Sequence, residues 1–123
     1  METLIVVVLF GLLAALAYRS AWRSAEKTRM RTAWGMLRLI DAAQWAYSRD
    51  NPAGFATAIG DLVNGGYIDD PMVGQNEWEY AIVSAAEYEE AKRLTGPCAN
   101  KRLRRYYHGP NMGNETETLT SCP

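Results

Sequence analysis

From Leu4 to Ala17 (LIVVVLFGLLAALA) every position but Gly11 is apolar, so a helix built from this run has no polar face. The pattern changes beyond Arg19. Met30, Ala33, Trp34, Leu37, Ile40 and Tyr47 recur near a 3.6-residue period, which predicts an amphipathic continuation. No proline falls before Pro52, so one unbroken helix is expected to about Asp50. A helix greasy on every side needs lipid or a sheath of other copies of itself. The chain therefore reads as three segments: an apolar transmembrane or filament-core segment (1–18), its amphipathic continuation (19–50), and a small globular unit (51–123).

The remaining pattern is shorter in period. Asp50-Asn51-Pro52-Ala53-Gly54 stops the long helix, and Phe55 to Asn64 predicts a short helix closed by Gly65-Gly66. Asp69-Asp70-Pro71 reads as a turn. Glu77 to Val83 alternates, with Trp78, Tyr80 and Ile82 on one side, and predicts a strand. Ser84-Ala85-Ala86-Glu87 matches a capping box and predicts a helix to about Leu94, stopped by Gly96-Pro97. Lys101 to His108 and Thr116 to Cys122 predict two further strands. The fold class expected is α+β, the apolar half of the long helix protruding and its amphipathic half lying on a small antiparallel sheet.

A globular unit of about 75 residues is marginal on its core alone, and a staple is common at that size. Cys98 and Cys122 are the chain's two cysteines. The tail between them is poor in apolar residues and needs a tether, which favours a disulfide over two free thiols. Such a loop stabilises by about 3 kcal/mol in the chain-entropy picture, and it implies an oxidising compartment. The net charge of -1 conceals segregation. Residues 19–50 sum to +4, 61–93 to -6 and 101–123 to +2. Blocks of this kind suit contacts between copies of one chain, and they also suit plain solvated faces.

Thr3 to Tyr18 covers about 24 Å as a helix, against a hydrocarbon core of about 30 Å. Tyr18 and Trp22 extend the run as an interfacial belt, and Arg19 can snorkel. A cleaved secretory signal is the competing reading, because Ala15-Leu16-Ala17 resembles a cleavage site. Before the apolar run, however, stands Glu2 and no Lys or Arg, which favours an anchor. The basic series Arg19, Arg23, Lys27, Arg29 and Arg31 would by itself hold the globular unit in the cytoplasm. That conflicts with a disulfide unless a basic leader precedes the apolar run during synthesis.

The segment ETLIVVVLFGLLAALAYRSAW resembles the N-terminal helix of type IV pilins and of the related type II secretion pseudopilins. That family has a single glutamate, a β-branched and Leu run, a Gly, and an Ala-rich stretch opening into a long amphipathic helix. DLVNGGYIDDP is similar to the family's segment just before its sheet. ETLTSCP is similar to the tail that a disulfide ties to the sheet edge. The helix-breaking proline that many pilins carry after the apolar part is missing, with Tyr18 and Arg19 near that place. The resemblance implies a pilin-like fold and assembly residues Met1, Glu2, Leu4, Val7, Phe10, Gly11 and Ala14. It also implies that Glu2 pairs with a neighbouring subunit's amine. A carboxylate at the head of an apolar helix costs several kcal/mol unless it finds a cation, roughly 3 at a membrane centre.

No catalytic constellation stands out. His108 is the single histidine, no Cys/His spacing suits a metal, and neither a Gly-rich phosphate loop nor GxSxG occurs. No cofactor is implied. Lys101, Arg102, Arg104 and Arg105 bracket Tyr106 and Tyr107, a mix that could hold a polyanion such as nucleic acid or an acidic face of another copy. The expectation is a non-enzymatic filament subunit. It would rest in the inner membrane, pass through a pilus assembly machinery, and end at the cell surface in a helical homo-oligomer. A minor pseudopilin, a single-pass periplasmic protein of a secretion system, or an uptake pilin binding DNA are the alternatives.

Overall fold

The long helix forms as its pattern predicts. α1 runs Glu2–Asp50, 49 residues, with Glu2 in its first turn and Arg49 in its last. Both charges oppose the helix dipole. The chain is a computed structural model describing residues 1–96 and 98–118. It divides into two compact units, Met1–Thr32 and Ala33–Pro123. The first unit contains only α1. Its large apolar side chains from Leu4 to Leu16 are all exposed, and Arg29 pairs with Glu26 at 2.8 Å near its end.

In the second unit α1 becomes one-sided. Ala33, Leu37 and Ile40 are fully buried and Ala43 nearly so, which is the 3.6-residue face read from the sequence. Each fully buried Leu or Ile contributes about 1.5–3 kcal/mol. Pro52 cannot extend the hydrogen-bond ladder. Asn51 closes the helix instead, its backbone and side-chain N–H groups both donating to the Tyr47 carbonyl. Fully buried Gln44 then ties down the following loop, donating to the Ala56 carbonyl (3.0 Å) and accepting from the Ala56 N–H (2.8 Å).

The short second helix, α2 (Ile59–Asn64), is smaller than the predicted Phe55–Asn64. Phe55 is drawn away into an aromatic cluster, its ring 5.0 Å from both Trp45 and Tyr107. Leu62 anchors α2 in the core. Gly66 ends it at φ 76, a conformation that a side chain would resist.

Four strands complete the unit: β1 (Trp78–Val83), β2 (Tyr88–Arg93), β3 (Arg102–Tyr106) and β4 (Glu115–Thr118). They form one antiparallel sheet in the order β1-β2-β3-β4. The unit is thus α+β, with one strand more than the pattern predicts. Residues 84–94 are the correction. Instead of a helix, Ser84 to Glu87 make a hairpin loop, with Glu87 at φ 60, and β2 returns beside β1. An isolated helix of about ten residues is marginal in water. As a strand the same residues gain a hydrogen-bonded neighbour on each side, Tyr80 facing Ala91 and Ala91 facing Leu103. The strand predicted over 116–122 begins one residue early at Glu115, and positions 119–122 lie outside the described residues.

The register sorts side chains onto two faces. Trp78, Tyr80 and Ile82 share the inner face with Glu89, Ala91, Arg93, Leu103 and Arg105. This face meets α1 through Arg105 on Asp41 (3.1 Å), while Arg38 of the helix reaches Glu115 of β4 (3.0 Å). Glu79, Glu90, Lys92, Arg102, Arg104, Tyr88 and Tyr106 occupy the outer face.

Candidate functional site

The residues expected to drive assembly lie in the first unit and are exposed. Met1, Leu4, Val7 and Phe10 are 100%, 69%, 67% and 68% accessible, and Glu2 and Ala14 are exposed as well. A methyl group added at Gly11 would meet nothing within 4 Å. Consecutive residues on a helix step by about 100°. The run Ile5-Val6-Val7-Val8-Leu9-Phe10, exposed at every position, is therefore uncovered on every side. Among the described residues no helix is long and apolar enough to cross a membrane.

Cys98 is buried at 3% exposure and disulfide-bonded. Its expected partner, Cys122, lies outside the described residues.

The basic and aromatic stretch is contiguous in sequence and divided in space. Strand β3 alternates, so Arg102, Arg104 and Tyr106 face outward while Leu103 and Arg105 face α1. Lys101 is buried and paired with Glu117. Tyr107 is buried against Phe55, and burial raises its phenol pKa. On the outer face Glu90 takes both remaining guanidiniums, from Arg102 at 3.0 Å and Arg104 at 2.9 Å. Arg104 also lies over the Tyr88 ring at 4.8 Å, and Tyr88 meets Tyr106 edge-on at 5.4 Å. The six residues grouped by sequence thus do not form one surface, and the outer arginines are already neutralised in part.

Between sheet and helix lies an ionisable cluster that no motif announces. Glu89 is fully buried, and neither carboxylate oxygen has a hydrogen-bond partner among the described residues. Burial first, then the charge on Asp41, pushes its pKa up to about 9. Asp41 keeps one oxygen on Arg105 and leaves the other, Oδ1, buried without a partner among the described residues. Arg105 also donates to Glu115 (2.6 Å), whose pKa is lowered chiefly by its hydrogen bond from Arg38. Glu89 is thus held as the neutral acid while Asp41 and Glu115 carry the charge that Arg105 and Arg38 balance. Its position is that of a core residue.

His108 lies beside Glu87, Nδ1 to Oε1 3.0 Å, on an exposed turn, with the Phe55 ring 5.2 Å away.

A groove of about 550 Å³, which Glu89 does not line, opens in the second unit between α1 and residues 66–75. Met36 and Leu39 form one wall; Tyr67, Ile68, Pro71 and Val73 form the other, with Asp69 and Asp70 also lining it.

No protein-family model matches the chain, and neither a curated protein nor a solved structure is significantly similar to it.

Proposed function

We propose that this chain is the structural subunit of a type IV pilus-like filament, built by packing the apolar segment 1–18 of α1 among the same segments of other copies. The observation that carries the reading is the uninterrupted exposed apolar surface from Leu4 to Leu16. Exposed apolar patches beyond a few hundred Å² mark interaction surfaces, at roughly 300–600 Å² for the largest on an ordinary monomer. Ten large apolar side chains on one helix, without a polar side among them, require an apolar partner on every side. Copies of the same segment provide one.

The second unit supports the reading in outline. A long helix whose C-terminal half lies on an antiparallel sheet is the pilin arrangement, and the buried, disulfide-bonded Cys98 suits an oxidising exterior. The subunit would wait in the inner membrane and leave it for the cell surface. Apolar side chains then exchange lipid for each other at little net cost, so packing and polar pairing decide the outcome. Glu2 would supply the pairing, its carboxylate meeting a cation on the neighbouring helix and setting the axial register.

Glu2→Ala is therefore expected to abolish or slow filament formation while leaving the second unit folded. The check is electron microscopy of material sheared from the cell surface, together with circular dichroism of the detergent-solubilised chain. Normal filaments from the variant would refute the register role of Glu2. Wild-type surface material without fibres containing this chain would favour a minor pseudopilin or a single-pass periplasmic protein.

A further inference from the structure

Two apolar residues lining the groove between α1 and residues 66–75 are left exposed by the described residues of the second unit. Leu39 is 51% exposed and Val73 76%, although both line it. Both are apolar residues lining a preformed cleft. The cleft is preformed because its far wall is fixed. Gln75 donates to the carbonyls of Pro71 (3.1 Å) and Trp78 (2.7 Å), and its Oε1 accepts from the N–H groups of Glu77 and Trp78. Pro71 and Ile68 are buried beneath it, and Asp70 closes the turn by accepting from the Met72 N–H at 2.9 Å.

The lining is acidic as well as apolar. Asp69 and Asp70 are exposed and have no ion-pair partner among the described residues. The occupant should therefore combine cations with apolar surface. The chain carries such cations in its first unit, where Lys27 and Arg31 are exposed, stand one helical turn apart, and have no ion-pair partner among the described residues. A spacing of four places both on one side of α1. The charge balance agrees: residues 19–31 hold five cations and one carboxylate, whereas 61–93 sum to -6.

We infer that this groove is a docking site for a second copy of the chain, which lays the Lys27–Arg31 turn of its α1 against Asp69 and Asp70 and covers Leu39 and Val73. The inference rests on the filament reading and deepens it by adding a polar, oriented contact to the apolar packing of residues 1–18. The groove and the basic turn are different surfaces, so the contact is head-to-tail and propagates, as a filament requires. Opposite charges on the two surfaces also disfavour the reversed arrangement.

The test uses the full chain, assembled by removing detergent. Asp69→Lys with Asp70→Lys is expected to lower the assembled fraction about tenfold, and Lys27→Glu with Arg31→Glu to do the same. All four changes in one chain should restore assembly, because every copy then presents the inverted pair. Doubles that assemble like the parent, or a quadruple variant no better than the doubles, overturn the inference. Asp70 also holds its turn, so a second measurement leaves it intact. A Val73→Cys population mixed with a Ser24→Cys population, Ser24 being exposed on the same side of α1 as Lys27 and Arg31, should give dimers with a short bismaleimide, and neither population should do so alone. A photo-crosslinker at position 10 reports association of the apolar segments separately. Crosslinks there without any between positions 73 and 24 overturn the groove and leave the filament reading standing, whereas no crosslink of either kind overturns both.

Discussion

Glu89→Gln is expected to stabilise the second unit at pH 7 by about 2–3 kcal/mol, an unusual direction for a change at a fully buried position. Both oxygens of Glu89 are buried with no hydrogen-bond partner among the described residues, and its pKa is raised to about 9. The folded state holds a proton that the unfolded chain gives up near pH 4.5, so folding becomes costlier as pH rises from there towards 9. Below that window the penalty vanishes; above it Glu89 is ionised in both states and the penalty stops growing. At pH 7 the gap of about 2.5 units amounts to about 3 kcal/mol. Glutamine keeps the shape and removes the titration, although its amide is as poorly partnered as the acid it replaces. Urea denaturation of the detergent-solubilised chain across pH 5–9 measures the effect. The parent should lose stability with rising pH, and the variant should lose much less. A variant less stable than its parent at pH 7 would show that Glu89 is ionised and paired.

Arg105→Ala should do the opposite, costing about 3–5 kcal/mol. Arg105 holds Asp41 at 3.1 Å and Glu115 at 2.6 Å from a position where its side chain is 20% exposed. Removing it leaves Asp41, whose side chain is 17% exposed, beside Glu89 without its guanidinium, and its buried Oδ1 has no other partner among the described residues. Partial exposure lets water recover part of the loss, which favours the lower end of that range. Glu89→Gln in the same chain should recover part of it too, because the variants share one cluster. Simple additivity of the two changes, measured by the same denaturation, would show that Arg105 and Glu89 do not interact.

How much of this was legible in the chain depended on whether a residue's role was local. α1 was legible because Ala33, Leu37 and Ile40 repeat at helical spacing and nothing interrupts them before Pro52. The inner side of β1 was legible from Trp78, Tyr80 and Ile82. β2 was not. Its sequence, YEEAKR, is made largely of good helix formers, and its inner face carries Glu89 and Arg93 where apolar residues would signal a strand. Only its neighbours, β1 and β3, make it a strand. The division of the 101–107 stretch follows from the period of two and could have been read from β3 alone. Grouping Arg104 with Arg105 by adjacency hid it. The Glu89–Asp41–Arg105 cluster draws on β2, α1 and β3, so no local pattern could reveal it. The groove is similar: Leu39 sits amid a helix whose other face is the core, and only the tertiary fold shows it uncovered.

The proposed filament stands or falls with the apolar segment packing against its own copies. The most direct measurement is electron microscopy of the purified chain as detergent is withdrawn, read together with crosslinking from position 10. Thin helical fibres with the 1–18 segments at their centre, joined copy to copy through that position, are the predicted result. A stable monomer whose position 10 never crosslinks to another copy, with or without detergent, would contradict it.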